Sequence, residues 1–144
     1  MSWEEADQRP DVVTGTFLVY NMPACVLFDS GATISFVSCT FVSKTGMRSG
    51  VSVNSVITLP SGEEFVCSRE FKEVPITIED TELRADLKEF PLSEFDVILG
   101  MDWLAKYQAN IRCRDQAVTL RGPLGKRVSY SGIRVKPGIR IVSA

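Results

Sequence analysis

The chain of 144 residues contains no histidine, and this absence excludes several classes of catalytic and metal site. Ser-His-Asp and Cys-His nucleophilic sites need an imidazole base, and Cys2His2 zinc fingers and HExxH metalloproteases need imidazole ligands. The cysteines lie far apart and form no CxxC pair: Cys25, Cys39, Cys67 and Cys113. We interpret them as small buried hydrophobic residues in a reducing compartment, with disulfides or zinc as weaker alternatives. We expect no metal and no cofactor.

Long apolar runs are also missing. None approaches the roughly 20 residues that a membrane-spanning helix needs, and the acidic opening MSWEEADQRP does not resemble a signal peptide. We therefore expect an intracellular, cytoplasmic protein without a membrane partner. The composition, 44% hydrophobic and 24% charged, is typical of a globular chain rather than a disordered one, and the length suits a single domain.

The net charge of −2 hides an asymmetry along the chain. In residues 1–115 the 18 acidic side chains outnumber the basic ones, whereas residues 116–144 carry no acid. The basic residues of this last segment are Arg121, Lys126, Arg127, Arg134, Lys136 and Arg140. A basic tail can bind nucleic acid. These charges are scattered and lack interleaved aromatic residues, so we favour a solvated strand face or linker and do not expect a nucleic-acid partner.

Residues 15–130 are predicted to form one mainly β domain between a polar N-terminal arm, residues 1–14, and a basic C-terminal extension, residues 131–144. Alternating or wholly apolar segments separated by turn residues predict the strands. These are 16–20, 24–29, 51–59, 63–71, 74–78, 82–88, 95–100, 110–114, 117–121 and 126–130. Two short helices are predicted, over 34–45 with Gly46 as the C-cap and over 101–109.

Two segments of the domain follow the same plan of apolar strand, glycine-containing turn and helix: VLFDSGATISFVS (26–38) and DVILGMDWLAKY (96–107). The first carries Asp29 where the second carries Leu99-Gly100. Two carboxylates held a few ångströms apart share one proton, so one can activate water while the other polarises a carbonyl. Because the sequence contains a single Asp-Ser-Gly loop, the second carboxylate would have to come from another copy of the chain.

VLFDSGATISFVS and FDVILGMDWLAKYQANIRC (95–113) resemble the active-site and second strand–glycine–helix units of retroviral-type aspartic proteases, or retropepsins. They are most similar to the protease domain of gypsy-class LTR retrotransposon polyproteins. The similarity spans roughly residues 13–130, and the spacing of 71 residues between Asp29 and Gly100 fits. The resemblance implies a retropepsin-like closed β-barrel with a flap hairpin, active as a homodimer that cleaves peptide or polyprotein substrates.

Position by position, the resemblance implies that Asp29 is the catalytic aspartate and that Ser30 and Gly31 complete its triplet. Gly100 matches a structural glycine that packs behind the active loop. The residues that would bind substrate are Ala32, Thr33, Pro60, Ser61, Gly62 and Ile98. Pro60 to Gly62 form the tip of the flap, and Ile98 forms an apolar wall of the substrate pockets.

Further residues of these two segments have predicted roles in the dimer, in helix capping or ion pairing, and in the core. Serine stands at position 30 where many relatives have threonine, so we expect a looser dimer. Asp102 is interpreted as an acid in the first turn of a helix, and Asp96 as a strand-edge or ion-pair residue. Trp103 and Leu104 are expected in the core. The competing hypothesis is a dimerising or peptide-binding scaffold that has kept the fold and lost proteolysis.

Overall fold

A computed structural model describes residues 12–48, 50–58 and 61–131. In these ranges the strands are β1 (Val12–Val19), β2 (Met22–Asp29), β3 (Phe36–Ser38), β4 (Gly50–Thr58), β5 (Glu64–Ile78), β6 (Thr81–Phe90), β7 (Val97–Leu99), β8 (Asn110–Arg112), β9 (Ala117–Arg121) and β10 (Arg127–Ser131). The helices are α1 (Cys39–Thr45) and α2 (Met101–Lys106), with 3₁₀ turns at Cys113–Asp115 and Pro123–Gly125. Neither α-helix is long and apolar enough to cross a membrane.

Six strands close into a barrel in the order β1-β2-β7-β3-β6-β5, and β1 pairs back onto β5 through Leu18↔Thr77 and Val19↔Ile76. β4 pairs with the first half of β5 to form a hairpin that extends the sheet, and we call β4 with residues 61–71 the flap hairpin. β8, β9 and β10 form a separate antiparallel sheet. The expectation of a mainly β, retropepsin-like barrel with two short helices and a flap is confirmed.

The parallel pair β2–β7 joins the two similar segments of the sequence. Its register pairs Val26 with Val97, Leu27 with Ile98 and Phe28 with Leu99. All six side chains are buried, which explains why both strands are continuously apolar instead of alternating. The same register brings the ends of the two strands together, so the loop after Asp29 and the turn at Gly100 begin at one edge of the sheet.

Aromatic side chains from both segments pack in the core beneath this edge. The Phe28 ring lies 5.6 Å from Phe17 in a T-shaped arrangement and 6.0 Å from Trp103, measured between ring centroids. Trp103 in turn packs on Tyr107 at 5.0 Å. Trp103 and Leu104 are buried, as expected. Helix α2 is therefore fixed on the barrel by its apolar face, which holds the turn at Gly100 in place.

The helix predicted over 34–45 is wrong in its first half. Residues 36–38 form β3, which lies between β7 and β6, and only residues 39–45 are helical. The Ser38 side chain caps the helix by accepting a hydrogen bond from the Phe41 amide at 3.0 Å. Gly46 ends it at φ 73°, the left-handed conformation predicted for this glycine. Pairing of residues 36–38 with β6 and β7 outweighs the helical spacing of the apolar residues in this segment.

The first strand begins before the boundary predicted for the N-terminal arm. Val12 and Val13 are fully buried, and Val12 pairs with Asp29, so residues 12–14 belong to the barrel. Ser131, assigned to the extension, ends β10. The rest of the predicted arm, with Trp3, and the rest of the extension lie outside the described residues.

The cysteines are less uniform than predicted. All four lie in the described part of the chain, where no disulfide joins them, and only Cys67 is fully buried. Cys25 and Cys113 are half-buried, and Cys39, the first residue of α1, is exposed. The prediction of a buried side chain is therefore wrong for Cys39, because the helix begins five residues later than predicted and Cys39 is its exposed first residue.

Candidate active site

Asp29 is the last residue of β2, and its side chain is buried with 5% of its surface exposed. On one side it pairs with Val12 of β1, and the β2–β7 register brings Gly100 beside it on the other. A carboxylate at the end of a buried strand differs from a surface turn aspartate, because its solvation depends on hydrogen bonds from neighbouring backbone. The barrel thus holds Asp29 in a water-poor position.

The backbone after Asp29 folds back onto it. The Gly31 amide donates to Asp29 Oδ1 at 2.8 Å, and the Ala32 amide donates to the Asp29 carbonyl at 3.2 Å. A hydrogen bond from an aspartate side chain to the amide two residues on is typical of a turn aspartate. Here the bond orients a buried carboxylate, so the local turn chemistry and the site geometry support each other.

The next residues of this loop rest on the first turn of α2. The Met101 amide donates to the Ala32 carbonyl at 2.7 Å, and the Asp102 amide donates to the Thr33 carbonyl at 3.2 Å. These bonds satisfy amides that a helix start leaves without intrahelical partners. Ala32 and Thr33 are therefore held by α2, and the loop is tied to the second strand–glycine–helix unit.

Ser35 and Asp102 strengthen this tie, and the sequence did not reveal their pairing. The Ser35 hydroxyl donates to Asp102 Oδ1 at 2.6 Å and accepts from the Gly100 amide at 3.0 Å. Asp102 lies in the first turn of α2, as predicted, and Oδ1 also accepts from the Trp103 amide at 2.7 Å. The available signal was a serine inside the apolar run ISFV, which a buried position tolerates only with a partner.

The predicted apolar wall at Ile98 lies next to the same loop. Ile98 belongs to a small buried cluster with Val12, Leu27 and Phe95, and the side chain of Ala32 packs against it. Phe36 and Leu92, both half-buried, border this cluster. The structure thus places Ile98 and Ala32 in one cluster beside the loop that follows Asp29.

The flap hairpin is tied to the barrel by aromatic and charged contacts. The Phe90 ring lies 4.7 Å from Phe65 and 5.5 Å from Phe36, between ring centroids. The Arg69 guanidinium binds the Glu89 carboxylate through two hydrogen bonds of 2.8 Å. Ser61 and Gly62 are exposed at the tip of the hairpin, whereas Pro60 lies outside the described residues.

Asp96 bonds a neighbouring strand. Its Oδ2 accepts from the Cys25 amide at 2.8 Å, and its own amide donates to the Cys25 carbonyl at 2.9 Å. Burial, with the nearby Asp96 charge as the smaller cause, raises the pKa of the Cys25 thiol to about 11. The thiol therefore stays protonated at neutral pH. Over the described ranges, no three Cys, Asp or Glu side chains are grouped to hold a metal ion.

Ser30 lies beside a shallow, open pocket next to α2. The pocket is also lined by Met101, Leu104, Ala105, Gln108, Ala109 and Ile111. Met101 is substantially exposed in the single chain.

Solved structures with the same fold define the class of this barrel as retropepsin-like. The retroviral protease-like domain of Ddi1 from Leishmania major aligns with a TM-score of 0.65, covering 83% of this chain and 94% of that domain at 16% identity. The EIAV protease, complexed with the inhibitor HBY-793, aligns with a TM-score of 0.52, covering 65% of this chain and 85% of that protease at 21% identity. At these identities the likeness shows the fold alone.

The family is shown independently of the fold. The model of the retroviral aspartyl protease family matches residues 1–125, and the chain belongs to that family. No curated protein matches the chain in sequence. The catalytic and substrate-binding roles of individual residues stay predictions.

Proposed function

We propose that this chain is an aspartic endopeptidase that acts as a homodimer, with Asp29 of each copy on the two-fold axis. A water held between the two carboxylates attacks the scissile carbonyl, with one carboxylate accepting its proton and the other, protonated, donating to the carbonyl oxygen. No covalent intermediate with the enzyme forms. Ser30 and Gly31 shape the loop that brings the two carboxylates together.

The observation that carries this proposal is the buried Asp29 carboxylate, oriented by the Gly31 amide, at the open end of a retropepsin-like barrel. This chain contains one Asp-Ser-Gly loop, so a second copy is needed for the carboxylate pair. Ser30 and Met101, both exposed beside the aspartate loop, offer surface for that partner. A two-fold axis places the same loop of each copy face to face.

The proposed substrate is an extended peptide that lies between the flap and the groove. Ala32 and Thr33 would provide backbone contacts, and Ile98 an apolar wall for the side chains beside the scissile bond. Ser61 and Gly62, with Pro60, would close over the peptide and exclude water. The likeness of segments 26–38 and 95–113 to gypsy-class proteases supports a retroelement polyprotein as the natural substrate, processed inside the cell.

The test is cleavage of a mixed peptide library between pH 4 and pH 9 by the unmodified chain and its Asp29→Asn form. Asp80→Asn is the matched control, because Asp80 is an exposed turn residue at φ 62°, a conformation that asparagine also adopts readily. We expect the unmodified and Asp80→Asn chains to cleave best at mildly acidic pH, and Asp29→Asn to be inactive. Equal rates at pH 5 and pH 9 would contradict the shared-proton mechanism.

The scaffold hypothesis remains the second candidate because the flap hairpin exposes apolar side chains that could hold a peptide without hydrolysing it: Val51, Val56, Phe65 and Val66. Peptide binding without turnover, at concentrations where the chain is shown to be dimeric, would support it. The Asp29→Asn form would then bind as tightly as the unmodified chain.

A further inference from the structure

We propose that Ser35 and Asp102 are positioning residues that hold the Asp29 loop in its reactive geometry, an inference that rests on the proposed proteolytic function. The two side chains lie 67 positions apart in the sequence and meet between the aspartate loop and helix α2. Neither belongs to the Asp-Ser-Gly triplet or to the residues assigned to the substrate groove. Their role is to fix one strand–glycine–helix unit against the other.

Ser35 is the central link of this connection. Its side chain is buried, with 1% of the residue exposed, and its hydroxyl both donates to Asp102 Oδ1 and accepts from the Gly100 amide. A buried hydroxyl that makes both bonds cannot be replaced by an apolar group without leaving the Gly100 amide unpaired. The Gly100 turn is therefore held by the same group that ends the aspartate loop.

The Asp102 carboxylate accepts hydrogen bonds both from the aspartate loop and from helix α2. Its Oδ2 accepts from the Ser35 amide at 3.3 Å, and its Oδ1 accepts from the Ser35 hydroxyl and the Trp103 amide. A carboxylate accepts such bonds more strongly than a neutral group. Because the neighbouring Trp103 is packed on Phe28 in the core, the barrel also fixes the position of Asp102.

The short loop transmits this fixed position to Asp29. Only residues 30–34 separate Asp29 from Ser35, and the Gly31 amide bonds the Asp29 carboxylate at the other end. The Ala32 and Thr33 carbonyls accept from α2 in between. If the hydrogen bonds of the Ser35 hydroxyl are lost, the loop can move while the barrel stays folded. A displacement of about 1 Å at reacting groups can lower a rate by about a hundredfold.

The test compares Ser35→Ala with Ser38→Ala, a matched control with the same atoms removed. Ser38 is also buried and its hydroxyl also accepts a backbone amide, but it caps α1 away from the loop. We expect both variants to lose thermal stability. Only Ser35→Ala should lower kcat, by about tenfold or more with KM within about twofold, and Ser35→Thr should recover part of the rate because it keeps the hydroxyl.

A second readout does not depend on proteolysis. Amide hydrogen exchange at Gly31 should be faster in Ser35→Ala and Asp102→Leu than in Ser38→Ala, relative to the amides of β2 in the same sample. Unchanged relative exchange at Gly31, or an unchanged kcat in a chain that cleaves peptides, would overturn the positioning role. Faster Gly31 exchange in a chain that cleaves nothing would instead count against the proposed function and leave the structural link standing.

Discussion

Gly100 lies so close to Ile34 that a Cβ atom on the glycine would be 2.5 Å from the Ile34 carbonyl oxygen. The same atom would be 2.8 Å from the Ala32 carbonyl oxygen. The backbone of Gly100, at φ −96° and ψ −168°, is extended and open to any residue, so the requirement for glycine comes from this close approach alone. The aspartate loop and the second glycine turn pack backbone against backbone.

Gly100→Ala should therefore destabilise the barrel and displace the loop. Both obstructing atoms are backbone carbonyls that cannot move aside as a flexible side chain would, and overpacking of this kind costs about 1–3 kcal/mol. Urea unfolding measures the loss. Gly122→Ala is the control, because its Cβ would meet the Thr81 side chain at 3.2 Å and that methyl group can yield. Equal losses in the two variants would contradict the backbone contact.

The strands that carry the site could be predicted because their signals are local. The apolar runs before Asp29 and Gly100, and the glycines that end them, lie within a few residues of each other and were identified correctly as strand followed by turn. The turn signal Pro60-Ser61-Gly62 between two β-forming segments likewise predicts the hairpin locally. The resemblance to retropepsins then supplied the closed barrel, which no local pattern specifies.

Strand β3 and the Ser35–Asp102 hydrogen bond could not be predicted from the sequence, because both depend on residues far away along the chain. β3 exists because Phe36 pairs with Ile98 on one side and Lys88 on the other, and its own residues favour a helix by spacing. The Ser35–Asp102 link joins positions that differ by 67 residues, so neither residue signals the other. Tertiary pairing decided both features.

Tyr107→Phe should cost more stability than its conservative chemistry indicates. β3 pairs only with the last three residues of β6. Earlier in β6, at Arg84, the Tyr107 hydroxyl bonds the backbone groups that a neighbouring strand would otherwise bond. It accepts from the Arg84 amide at 2.8 Å and donates to the Arg84 carbonyl at 3.0 Å. Without it a backbone donor and acceptor are left unpaired, at a cost of about 1–3 kcal/mol in the free energy of unfolding.

Tyr130→Phe is the comparison for this prediction. Its hydroxyl makes one longer bond, to the Thr14 carbonyl at 3.3 Å, and the side chain is half-buried, so water can replace the lost donor. We expect a loss nearer to the low end of about 0.5–1.5 kcal/mol. If denaturant unfolding gives Tyr107→Phe the smaller loss of the two, the bridging role is wrong.

The Cys25 thiol should make the barrel less stable in alkali. Burial raises the pKa of this thiol in the folded chain to about 11 from its ordinary value of 9.0, so the unfolded chain ionises first. The contribution of the protonated thiol to the free energy of unfolding is complete below about pH 9 and is lost as the pH rises through about 11. Unfolding free energies measured between pH 8 and pH 11 should fall less steeply for Cys25→Ala than for the unmodified chain. Parallel curves would rule out this thiol as the cause.

Phe90→Ala should loosen the flap hairpin more than the barrel. The Phe90 ring is the only one that contacts both Phe36 of the barrel and Phe65 of the hairpin among the ring pairs of the described residues. An aromatic pair adds about 0.5–1.5 kcal/mol beyond burial, which corresponds to a roughly two- to thirteen-fold rise in local opening. Amide hydrogen exchange in β4 and in the first half of β5 measures this opening directly.

Val66→Ala controls for a general effect of trimming an apolar side chain. Val66 lies next to Phe65 in the same hairpin, but 61% of its surface is exposed, so its removal should leave the exchange of the hairpin amides nearly unchanged. If the chain cleaves peptides as proposed, Phe90→Ala should also raise KM, because an open flap gives up its contacts to the substrate. Exchange that rises equally in β2 and in the hairpin would mean that Phe90 supports the whole barrel and does not restrain the flap.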